Sequence, residues 1–110
     1  MDNRSPAKVV KQLDTQINRL LKGVDLHSTS NKERKTLADL QQNLVDSRIY
    51  SNSYELSETR EEQLQNASSG KKYLERASKN ILAASESNIF SAIDVAYLSA
   101  QIEQAISGLK

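Results

Sequence analysis

Apolar residues recur every three or four positions through most of this chain, and strict alternation is nearly absent, so the pattern predicts helices rather than strands. Val9, Val10, Leu13, Ile17, Leu20, Leu21 and Val24 fall on one face of a first helix. Lys11, Asp14, Asn18 and Lys22 fall on the other, which makes the segment one-sidedly amphipathic. Ser5 suits the N-cap and Pro6 the first helical position, where its missing N–H is not needed. Gly23 suits the stop. The expected helix covers residues 6–23.

Ser30 and Glu33 have capping-box spacing and open a second helix with Leu37, Leu40, Leu44 and Val45 on its apolar side. The apolar rhythm then stops. Ser51, Asn52 and Ser53 favour turns, so the helix is expected to fade near Tyr50, giving 31–50. A third helix restarts at Ser57 or Thr59, with Thr59 and Glu62 as a second capping pair. Ala67, Gly70, Leu74, Ala77, Ile81 and Ala84 form a heptad-like seam of mostly small residues, suited to close approach by another helix. At 57–85 this is the longest helix, roughly 43 Å at 1.5 Å per residue. Ser68-Ser69-Gly70 is where it would kink, because Gly inside a helix costs about 1 kcal/mol against Ala.

Ser91 and Asp94 open a fourth helix, 91–108, carrying Val95, Leu98, Ile102, Ile106 and Leu109 on one face. Its first half is two-faced: Ile93, Tyr97 and Ala100 lie opposite. Four helices joined by short loops give an all-α expectation, an antiparallel up-down bundle filling a single domain over 1–110.

Composition changes this picture little. Leu, Ile, Val and Phe make up about 24% of the chain, above the level of about 20% below which disorder is expected. Net charge is +1 and cysteine is absent, which removes disulfides, thiolate catalysis and cysteine-based zinc sites and fits a cytoplasmic setting. Met1 to Lys11 has no apolar core of a secretory signal. The longest strongly apolar run, Ile81 to Ala84, is far short of the roughly 20 residues of a membrane span. Asn66-Ala67-Ser68 matches a glycosylation pattern and is read as chance.

No catalytic pattern is present. There is no phosphate-cradling Gly-rich loop, nucleophile elbow or paired-His motif. His27, the single histidine, sits in a predicted loop without the companions a metal site needs. Glu55, Glu58, Glu61 and Glu62 are read as a solvated face that favours the start of the third helix. The expectation is a protein without enzymatic activity, metal or cofactor.

Three constellations remain. Arg48 interrupts the apolar arc of the second helix, and Arg60 and Gln63 that of the third. A bundle would bring them together at one end beside a turn carrying Tyr50 and Tyr54, a composition typical of interfaces. The opposing reading is that both helices fray and the arginines reach outward. A ligand pocket near Arg48 and Arg60 is a further option. On the fourth helix, Ile93, Tyr97 and Ala100 are covered either by burial at the bundle centre or by another chain, and symmetric dimers are the commonest oligomers. Lys72, Arg76 and Lys79, with Lys71 nearby, form a basic stripe able to meet phosphates. The leading expectation is a helical interaction or assembly module with a protein partner, self-associating and with a dimer favoured. The alternative is a weak binder of nucleic acid or a phosphate surface.

Overall fold

The computed structural model describes residues 5–110, so positions 1–4, the first part of the Met1–Lys11 segment discussed above, lie outside the described residues. Among these residues the chain forms four α-helices and no strand. They are α1 (Pro6–Lys22), α2 (Asn31–Leu56), α3 (Arg60–Glu86) and α4 (Ala92–Gly108), with a 3-10 turn at Leu26–Ser28 between α1 and α2. Each helix packs on its neighbours in a ring, α1 on α2, α2 on α3, α3 on α4 and α4 on α1. This is a compact four-helix bundle.

Local chemistry sets the helix starts. The Ser5 hydroxyl accepts from the Lys8 N–H at 3.2 Å. Ser30 accepts from the Glu33 N–H and Glu33 returns a bond from the Ser30 N–H, a complete capping box. Ser91 and Asp94 do the same for α4. Thr59 accepts from the Glu62 N–H, but the Glu62 carboxylate takes the Glu58 N–H instead of closing the box. These bonds satisfy backbone donors that helix geometry leaves open. Gly23 ends α1, its N–H reaching the Leu20 and Leu21 carbonyls. After α3 the chain reverses through Asn88 at φ 61°, a left-handed conformation that Asn tolerates better than most residues. That turn sends the Ile89 N–H back to the Ala84 carbonyl at 2.9 Å and leads into the buried Phe90.

Two boundaries correct the sequence reading. Helix α2 does not fade at Tyr50 but continues to Leu56. The reason is the seam. Leu37, Leu40 and Leu44 are buried, and the same three-four spacing continues through buried Ser47 and Ser51 to half-buried Tyr54. Tertiary packing, not propensity, carries the helix across Ser51-Asn52-Ser53. Val45, expected on the apolar side, stands just off this seam and is 45% exposed.

Helix α3 is unbroken from Arg60 to Glu86, through Ser68-Ser69-Gly70. Gly70 is a notch: a Cβ there would stand 2.9 Å from Leu109 Cδ1. Leu109, just past the end of α4, fills the space and is fully buried. Close contact with α4 thus offsets the backbone entropy that glycine costs.

Between α2 and α3 the contacts step in sevens. Asn43 Nδ2 donates to Asn80 Oδ1 at 2.7 Å. Tyr50 stacks on Tyr73, centroids 5.7 Å apart and planes 9° apart. Asn66 Nδ2 donates to Ser57 Oγ at 3.0 Å. A seven-residue step held by both helices is the mark of coiled-coil-like antiparallel packing. The shorter α1 and α4 lie against this hairpin and bury Val9, Val10, Leu13, Ile17, Leu98 and Ile102. They meet closely at one end, where a Cβ on Gly108 would stand 2.8 Å from Pro6 Cγ.

Candidate interaction surface

Of the five residues expected to gather at one end, the structure brings three together. Arg60 Nη1 donates to the Lys110 carbonyl at 3.0 Å and also to Gln63 Oε1. The Lys110 N–H donates to Tyr54 Oη at 3.4 Å. Tyr54 and Arg60 thus hold the backbone that follows α4, with Gln63 bonded to Arg60. The other two point elsewhere. Tyr50 belongs to the stack with Tyr73, and Arg48 turns toward α1, where its Nη1 lies 3.8 Å from Asp14 Oδ2. That pair is partly exposed and worth about 0–1 kcal/mol. The expected gathering assumed a helix ending at Tyr50. With α2 running to Leu56, Arg48 lies about 20 Å up the bundle from Arg60 at 1.5 Å per residue, and the two tyrosines sit within a helix, not on a turn. Neither Arg48 nor Arg60 lines any of the four grooves described below.

The second face of α4 is open. Ile93 is 82% and Tyr97 53% exposed, and Ala92, Ala96 and Ala100 beside them are exposed too. Burial at the bundle centre, one of the two sequence-based explanations, is thereby excluded. Tyr97 is steadied by Gln101, whose Nε2 donates to Tyr97 Oη at 3.2 Å.

The basic stripe divides. Lys72 Nζ and Arg76 Cζ lie 5.6 and 5.3 Å from the Tyr73 ring centroid, close enough for cation–π attraction. Arg76 and Lys79 line a groove between α2 and α3 that also holds Asp39. Lys71 and Lys72 line a different groove, with Leu64, Ser68, Glu75 and Lys110.

His27 is an exposed residue of the 3-10 turn, and its N–H donates to Asp25. The Ser28 hydroxyl and then the His27 N–H hold the Asp25 carboxyl below its ordinary range. Glu33 is lowered by the Ser30 N–H and hydroxyl. Both shifts are the signature of caps. No group of three metal-ligating side chains clusters among the described residues, and no described helix is long and apolar enough to cross a membrane.

Pattern reading missed two features. Glu55, grouped with a solvated face, sends Oε2 across to the Ala7 N–H of α1 at 3.0 Å, placing a carboxylate at a helix start. The signal was beyond reach, since the partners are 48 positions apart. The other is a groove of about 600 Å³ between α1 and α4, lined by Lys8, Lys11, Arg19 and three neutral polar residues of α1, and by Tyr97 and Gln101 of α4. No carboxylate lines it. A larger groove of about 770 Å³ between α1 and α2, with Leu21 and Leu37 in its lining, also carries Lys22 and Arg34. Comparison of the chain with protein-family models, with curated proteins and with solved structures finds no match.

Proposed function

We propose that this chain is a non-enzymatic helical interaction module, working as an assembly element in the cytoplasm and associating with itself through the outer face of α4. The carrying observation is the exposure of Ile93 and Tyr97 on one side of a helix whose other side is core. Exposed Ala92, Ala96 and Ala100 extend that apolar strip without interposing a charge. Isolated exposed apolar residues are ordinary on protein surfaces, but a contiguous strip marks a place for another molecule. The absence of cysteine supports the cytoplasmic setting.

Sedimentation velocity across the micromolar range tests the reading. The wild type is expected above monomer mass. Tyr97→Glu is expected at monomer mass with unchanged helical circular dichroism, because the side chain is half in solvent and not in the core. A wild type that stays monomeric overturns the self-association.

A further inference from the structure

The groove beside Tyr97 and the α2–α3 turn are complementary in charge and in character. Lys8, Lys11 and Arg19 face the groove along about 16 Å of α1 at 1.5 Å per residue. They form no ion pair with any described residue. At the turn, Glu58, Glu61 and Glu62 are exposed. Glu55 is already engaged with α1, and the one cation of the turn, Arg60, is held on the Lys110 carbonyl. Three exposed carboxylates, of which Glu62 also takes the Glu58 N–H, therefore stand on one end of the bundle, and three cations without an ion-pair partner among the described residues stand along one side.

The apolar parts match as well. Leu56 is 80% and Leu64 49% exposed, flanking the acidic turn. Tyr97 lines the basic groove, and exposed Ile93 stands one turn before it on α4. Each surface is thus an apolar pair beside a charged trio, with opposite signs. Within one molecule the turn does not fill the groove, whose lining comes from α1 and α4 alone.

We propose that the α1–α4 groove is occupied by the acidic α2–α3 turn of a second copy of this chain. The inference rests on the self-association proposed above and assigns its mode. Glu58, Glu61 and Glu62 meet Lys8, Lys11 and Arg19, while Leu56 and Leu64 cover Ile93 and Tyr97. Made reciprocally about a two-fold axis, a pair of such contacts closes a dimer; repeated head to tail, it builds rings or open chains according to the rotation between copies. Charge complementarity of this kind sets orientation and partner choice more than raw affinity.

Charge reversal on each side provides the test. Glu58→Lys/Glu61→Lys makes turn and groove both basic. Lys11→Glu/Arg19→Glu makes both acidic. All four positions are exposed, and circular dichroism with a thermal melt verifies that each variant folds. By sedimentation velocity, each variant alone is expected to be monomeric where the wild type associates. An equimolar mixture is expected to associate, because every turn then faces a groove of opposite sign in the other variant. The wild-type assembly is also expected to loosen with salt, as the Debye length falls from about 8 Å at 0.15 M to about 3 Å at 1 M. Variants that associate like wild type, or a mixture that stays monomeric while the wild type associates, overturn the turn-in-groove contact. In either case loss of assembly in Tyr97→Glu keeps the α4 face as the site. A monomeric wild type removes both readings.

Discussion

The α2–α3 seam has two halves built on different terms. Away from the connecting turn, Leu37, Leu40 and Leu44 face the stretch of α3 that carries Ala77, Ile81 and Ala84, and large aliphatic side chains fill the space between the helices. Toward the turn, Ser47 and Ser51 take the same heptad places opposite Ala67, Gly70 and Leu74. There the volume is supplied from outside the hairpin, by Leu109 entering at Gly70. In the first half the two helices need mainly each other. In the second they approach as a pair of small-residue surfaces that a third segment completes. A seam position is therefore defined by its spacing and by what fills the space beside it, not by whether its own residue is apolar.

The largest break in this contrast is expected where the two halves join. Leu74 is fully buried, and Leu74→Ala should lower stability by about 2–5 kcal/mol, the range for a truncated core leucine, as read from urea or thermal unfolding. Next comes Gly70→Val, which drives a branched side chain into Leu109 and should cost about 1–3 kcal/mol by overpacking. Combined with Leu109→Ala, part of that loss should return. A double-mutant cycle showing strict additivity would refute the notch. The smallest effect has the opposite sign. The Ser47 hydroxyl is satisfied by the Leu44 carbonyl at 2.9 Å, whereas Ser51 Oγ is buried without a partner. Ser51→Ala should stabilise by about 1 kcal/mol by removing an unpaired hydroxyl, and Ser47→Ala should not.

The same contrast explains how much of the fold was legible. Helix α1 could be read almost residue for residue, because its apolar and polar faces separate cleanly and both ends carry caps. The starts of α2, α3 and α4 were visible for the same reason, as Ser or Thr followed three places later by Glu or Asp. The last turns of α2 were not, since Ser47 and Ser51 look like surface or turn residues until α3 is laid beside them. Gly70 misled in the same way: without Leu109 it reads as a weak point.

The candidate surface divided along similar lines. The outer face of α4 was legible because Ile93, Tyr97 and Ala100 violate a one-sided pattern. Arg48 was misplaced because its position depended on where α2 ends. The basic groove was invisible: Lys8, Lys11 and Arg19 look like an ordinary solvated face, and only the docking of α4 turns them into one wall of a groove. Leu56 and Leu64 had no helical stripe to break. Their meaning comes from the turn that sets them apart from the core.

The contact between Pro6 and Gly108 has a topological consequence. With α1 meeting α4 as directly as α1 meets α2 and α3 meets α4, the packing is cyclic even though the chain is linear. No helix pair then depends on which end of the polypeptide comes first. The same neighbour contacts describe a permuted order α3, α4, α1, α2 in which a linker runs from the end of α4 to the start of α1 and the three-residue turn Ser57-Glu58-Thr59 is cut. That cut would sever the acidic turn while leaving the α1–α4 groove whole, so the permuted molecule separates the fold from the proposed docking element.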